Sequence, residues 1–109
     1  MTTKKQVEMA PRSERYAILA NRGYGLYAGV VLSFDPKAGV AEVARCRHVA
    51  RWYGKTGGIT SLAAHGLCGA KAAESRIGAP VERATLTGIV NVFDCSDAAR
   101  ATIEAAAQS

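Results

Sequence analysis

From Tyr24 to Phe34 the chain alternates with a period of two. Tyr24, Leu26, Ala28, Val30, Leu32 and Phe34 fall on one side, and Gly25, Tyr27, Gly29, Val31 and Ser33 on the other. An alternation of this length specifies a β-strand, because successive side chains of an extended chain point to opposite faces. Asp35-Pro36-Lys37-Ala38-Gly39 follows as a hairpin loop, in which proline presets φ and glycine takes a positive φ. Val40 to Cys46 is the return strand. Gly25 and Gly29 inside the first strand mark a bulge or a close neighbour.

Around this hairpin the remaining elements are short. Arg15 to Arg22 reads as a strand, and Gly23-Tyr24-Gly25 as the turn after it. Thr60 to His65 reads as a helix capped by Thr60 and ended by Gly66. Gly66 to Ala79 is a loop rich in Gly and Ala. Val81 to Cys95 reads as one long strand with apolar residues on both faces: Leu86, Val90 and Val92 on one, Ile89 and Phe93 on the other. Ser96 caps a last helix, Asp97 to Ala107, with Asp97 in the first turn where the helix dipole favours an acid. The expected fold is α+β: a small antiparallel sheet with one short internal helix and one C-terminal helix. It forms one domain over residues 15–109, preceded by a flexible basic arm over residues 1–14. A strand with two apolar faces predicts a homo-oligomer whose second copy covers the exposed face.

Several function classes drop out. A chain of 109 residues holds one domain. No apolar run reaches the roughly 18 residues of a membrane span, and the N-terminus lacks the hydrophobic stretch of a secretory signal, which points to the cytoplasm. Three cysteines, Cys46, Cys68 and Cys95, make an odd count without framework spacing, as expected of reduced thiols. Gly54-Lys55-Thr56 lacks the P-loop glycine five positions upstream, where Val49 stands. The Gly23-x-Gly25-x-x-Ala28 run leads into a strand rather than a helix, so it is no dinucleotide fingerprint. Cys46-x-His48 and His65-x-x-Cys68 hold zinc-type ligands. Cys46 and His48 on one strand stand about 7 Å apart, wide for one ion. The reading assigns no metal, cofactor or catalytic residue, and the protein is expected not to be an enzyme.

Charge carries the functional signal. The net charge is +5, from 14 Lys and Arg against 9 Asp and Glu. Residues 1–60 hold ten basic and four acidic side chains, net +6, and the remainder is net −1. Between Arg45 and Lys55 there is no acid: Arg45, Arg47, Arg51 and Lys55 flank Trp52 and Tyr53, with His48, and Gly57, Gly58 and Thr60 follow. Guanidinium forks take phosphate oxygens in pairs, unpaired N–H groups near a helix start form an anion nest, and an aromatic face stacks on a base. Arg45, Arg47, Arg51 and Lys55 are therefore assigned to phosphate and Trp52 or Tyr53 to a base. Gly57, Gly58 and Thr60 are assigned as donors, with Arg76 joining from the later loop. Arg45 and Arg47 share a strand face, with Arg51 and Lys55 on a loop above it. The competing reading is a solvated basic edge with Trp52 as a core anchor.

The stretch from Arg45 through Cys95 resembles a family of small phage and prophage proteins. The matching features are Arg45 and Arg47, then Trp52-Tyr53-Gly54, then Thr56, Gly57 and Gly58. They continue with the helix of Ile59, Leu62, Ala63 and Gly66, the Pro80-Val81 strand entry, and Leu86, Thr87, Ile89 and Val92. The capped helix of Ser96, Ala99 and Ile103 completes the match. Arg51, where an aromatic is expected, and the long Gly66 to Ile77 loop depart from that pattern. The resemblance implies a phage accessory protein, similar in size and charge to proteins that sequester the cyclic nucleotide signals of bacterial immunity. The expected function is thus sequestration of a small phosphorylated nucleotide. The alternatives are a nucleic-acid-binding module, with Lys4, Lys5, Arg12 and Arg15 joining along a backbone, and a protein-binding inhibitor or structural protein.

Overall fold

A computed structural model describes residues 14–23, 25–56 and 58–108. The expected arm thus lies outside the described residues except for Glu14. Six strands form one antiparallel sheet: β1 (Tyr16–Asn21), β2 (Leu26–Asp35), β3 (Val40–Arg51), β4 (Arg76–Ile77), β5 (Val81–Leu86) and β6 (Ile89–Asp94). Two helices accompany it, α1 (Ile59–His65) and α2 (Asp97–Ala105), with a 3-10 turn at Ala72–Glu74. This is the α+β fold expected. Among the described residues no helix is long and apolar enough to cross a membrane.

The β2–β3 hairpin turns at Asp35, whose carboxylate accepts from the Lys37 and Ala38 N–H groups, and at Gly39, with φ +70°. β1 lies between β2 and β6. The far side of β3 is shared, with β5 along Ala41–Cys46 and β4 near Val49–Arg51. Consecutive strands β5 and β6 therefore sit at opposite ends of the order, yet only Thr87 and Gly88 join them. The sheet must curl until its two margins meet at this corner. Gly88 turns with φ +67°, the Asn21 side-chain amide donates to the Thr87 carbonyl, and Ile89 N–H donates to the Gly39 carbonyl at the hairpin tip. Register shifts in β2–β3 near Gly29 and Leu32 supply the bend. Gly29 is required there, since a methyl group would lie 2.8 Å from the Ala44 carbonyl oxygen.

Two cores result. Ile18, Leu26, Ala28, Val30, Val49, Leu62, Ile77 and Ile103 pack under the helices. Leu19, Ala41, Val43, Cys46 and Ile89 fill the inside of the curl. The expected single strand Val81–Cys95 is thus corrected: closure breaks it at Thr87–Gly88. Its apolar side chains are partly covered from within the chain, with Leu86, Ile89 and Val92 inside the curl and Phe93 and Cys95 beneath the helices, while Val81 and Val90 stay about half exposed. The helix starts divide. Ser96 caps α2 as expected, accepting from Ala99 N–H at 3.0 Å while its hydroxyl donates to the Ala64 carbonyl. Gly58, not Thr60, is the N-cap of α1, and Thr60 lies inside the helix.

Gly66 ends α1 with φ +74° and packs where the two helices approach; a methyl group there would strike Thr102 Oγ1 and the Ala99 backbone. Overpacking added to left-handed strain predicts that Gly66→Ala costs about 3 kcal/mol. Gly69→Ala, at φ +89° with open space around it, is predicted to cost only about 1 kcal/mol. Urea unfolding midpoints of the two variants measure the difference.

Candidate functional site

The acid-free run from Arg45 to Lys55 is divided by the fold into two places. β3 does not end at Cys46, as expected, but continues to Arg51. Arg45 and Arg51 are six residues apart on it, about 20 Å along an extended chain.

The first place lies where β3 passes the C-terminal end of α2. Arg47 is 4% exposed. Its Nε donates to the Gly78 carbonyl at 2.7 Å, Nη1 to the Ile103 and Glu104 carbonyls, and Nη2 to the Ile77 carbonyl. Four of its five N–H groups are thus turned onto backbone oxygens. The expectation that Arg47 presents its fork to a ligand is corrected. The final carbonyls of a helix lack internal partners and carry the negative end of its dipole, so they draw the guanidinium inward. Arg45 shares this side of the sheet, as expected, and is exposed. It sits on a bulge with φ +50° and reaches Glu14 at 3.1 Å and Glu104 at 3.8 Å. Arg100 shares both acids. The Arg100 and Arg45 guanidinium groups hold the Glu14 carboxyl below its usual range against a weaker opposing effect of burial.

The second place is the far end of β3. Arg51 stands directly across from Arg76 in the β3–β4 ladder. The two line an open cleft of about 280 Å³ with Ala73, Glu74 and Ser75. Tyr53 is tied to the same wall: its N–H donates to Ser75 Oγ at 3.0 Å, its carbonyl accepts from Cys68 N–H, and Lys71 Nζ lies 6.0 Å above its ring. Lys55 is exposed on the loop that follows. Among the described residues no acid forms an ion pair with Arg51, Lys55, Lys71 or Arg76. Like charges directly opposite in a ladder oppose folding by about 0.2–1 kcal/mol. The sequence reading named Arg51 and Arg76 but missed Lys71 and Ser75, which carry no local signal and arrive through the 3-10 turn.

The other expected residues are dispersed. Trp52 packs against the helix-side core with its Nε1 buried and unpartnered, so its ring is a core anchor rather than a stacking platform. Gly57 lies outside the described residues. Gly58 and Thr60 begin a helix of only seven residues. Cys46 is buried inside the curl, His48 lies against the Tyr27 ring at 5.3 Å, and His65 is exposed at the end of α1. No group of three or more His, Cys, Asp or Glu that could hold a metal occurs among the described residues.

The chain belongs to the family DUF6948, described as a domain of unknown function, whose model matches residues 14–103. No curated protein and no solved structure matches it.

Two expectations follow. Arg47→Met keeps the stem but strands the carbonyls, and it should lower the unfolding free energy by about 3 kcal/mol in urea titration. Burial pushes the Cys46 thiol up to about 11, and burial with the neighbouring Asp94 carboxylate pushes Cys95 up to about 12. Unfolded thiols ionise first, near 9. The stabilisation is therefore complete below pH 9 and is lost as pH rises through 11 to 12. Urea midpoints should fall across that window, less steeply in Cys46→Ala and Cys95→Ala.

Proposed function

We propose that this protein is a non-enzymatic module that binds the phosphodiester backbone of a single-stranded nucleic acid. The observation that carries the reading is the Arg51–Arg76 pair. Arg51 and Arg76 are backbone partners on one ladder and line one cleft, so their like charges oppose each other, and a phosphate between them would turn that repulsion into two charge-assisted contacts. Tyr53, bonded through its N–H to Ser75 of the cleft wall and with Lys71 Nζ 6.0 Å from its ring, offers an aromatic surface and a further cation beside the pair. The cleft is open along the exposed Arg51 and Arg76 side chains, which suits a strand passing across it better than a ligand buried on most of its surface.

A second reading keeps the same pair for a single small phosphorylated nucleotide, with the Ser75 hydroxyl as a further donor. It is the form that the phage resemblance implies, a cytoplasmic accessory protein sequestering a cyclic nucleotide. It requires a lid over the open cleft, which a second copy of the chain would supply in a homo-oligomer.

Fluorescence anisotropy of labelled oligonucleotides across a salt series separates the two. Strand binding should weaken steeply with salt, and Arg51→Ala with Arg76→Ala should flatten the slope by roughly 0.7, for the one phosphate held between them. Arg76→Glu should raise stability by about 0.2–1 kcal/mol while abolishing binding. Equal binding by the double variant would refute the site. Tight, weakly salt-dependent calorimetric binding of a cyclic nucleotide would favour the second reading.

A further inference from the structure

Beside the Arg51–Arg76 cleft runs a groove of about 310 Å³ between the segment after α1 and the end of α2. Leu67, Ala72 and Ala73 line it from the first side, and Ala105 and Ala107 from the second. Methyl groups on both sides leave open a space that longer side chains would fill. The surface is mostly apolar, and no charged residue lines it. The groove adjoins the cleft along a shared wall, because Ala73 and Ser75 line both. Arg76 of the cleft directly follows Ser75 in the chain.

Two hydroxyls reach the groove. Thr102 Oγ1 accepts from Leu67 N–H at 3.0 Å and donates to the Ala99 carbonyl at 2.8 Å, so its proton is taken. Ser75 Oγ accepts from Tyr53 N–H at 3.0 Å, and among the described residues its own proton meets no acceptor. Ser75 is thus a free donor on the wall that groove and cleft share. The opposite wall is the C-terminal end of α2, where the last carbonyls carry the negative end of the helix dipole. That end disfavours an anion and favours an N–H donor. The groove therefore suits an uncharged group with apolar faces and a polar edge, joined to an anion that lies in the cleft. A nucleobase is such a group. Its faces stack on apolar surface, its edge carries acceptors and N–H donors, and one sugar joins it to a phosphate.

We infer that the groove is a base subsite: it takes one nucleobase attached to the phosphate held between Arg51 and Arg76, with the Ser75 hydroxyl donating to the base edge. The subsite rests on the phosphate reading of that cleft and adds a base contact to it. Its walls are alanine and leucine, so it holds a base by the faces, and bases of any identity present those.

The test is fluorescence anisotropy of the full chain with two labelled probes, an oligodeoxycytidylate and an abasic strand of the same length and charge. The abasic strand should bind roughly tenfold more weakly, the scale of one base contact. Ala105→Leu and Ala107→Leu each place a larger side chain in the groove from an exposed position, so both should fold, as thermal unfolding checks. Each should weaken oligodeoxycytidylate binding by about that same factor and leave the abasic strand unchanged. Arg51→Ala with Arg76→Ala should lose both probes. Equal binding of the two strands by the parent would overturn the subsite while leaving the phosphate contact standing. A preference for the base-bearing strand that survives in both groove variants would also overturn it, and would place the base on Tyr53. Binding of neither strand would overturn the phosphate reading and the subsite with it.

Discussion

The Arg47 guanidinium is the contact on which the helix-side half of the molecule depends. A buried cation without a carboxylate partner is costly unless its N–H groups are met. Here they are met by carbonyls from three places in the chain: Ile77 at the end of β4, Gly78 just after it, and Ile103 and Glu104 in the last turn of α2. The same contact satisfies helix carbonyls that would otherwise face a dry interior. It also sets where β4 lies along β3, because Ile77 is both an acceptor for Arg47 and the ladder partner of Val49. With that register in place, Arg51 meets Arg76. The Arg51–Arg76 pair is thus a consequence of the Arg47 contact four residues upstream.

The other half is held by closure. Thr87 and Gly88 leave no slack between β5 and β6, so the curl is as much a product of chain length as of sheet twist. The small core inside it, around Leu19, Val43 and Ile89, is what that curvature buries. The two halves meet along β3, whose alternating side chains serve both: Val43 and Cys46 face the curl, and Arg47 and Val49 face the helices. The bulge at Arg45 is the point where the strand changes from one duty to the other. Cys46 and Arg47 are neighbours on opposite faces there, and both are buried.

What was legible in the sequence was local. The hairpin showed through its period of two and the Asp-Pro-x-x-Gly turn, α2 through Ser96 and Asp97, and the end of α1 through Gly66. Gly88 was not legible as a break, because Leu86, Thr87 and Ile89 all have strand character and the turn is imposed by closure with Asn21 and Gly39, far away in the chain. The continuation of β3 through His48 and Arg51 was hidden by its polar residues. Their exposure follows from β3 running out past the curl, and no local pattern announces that. Arg47 read as one more cation in a basic run. Its acceptors lie 30 to 57 residues further on, so its burial is a tertiary fact. The charge run was real, but its members were sorted by contacts the sequence does not display.

Natural sequences are locally consistent with their folds, and departures gather at sites kept for another purpose. β3 holds two such departures that its packing does not require. Arg45 takes a left-handed φ that glycine would adopt at lower cost, and Arg51 faces a like charge that a glutamate at position 76 would relieve. Arg47, although buried, is not a departure, because its carbonyl contacts repay its desolvation. The distinction separates the cation that holds the fold from the cations that the fold holds in place. Arg45 already has Glu14 and Glu104 to set against its strained backbone, whereas Arg51 has no ion-pair partner among the described residues to set against the like charge across its ladder, so of the two it is Arg51 whose cost the fold leaves uncompensated.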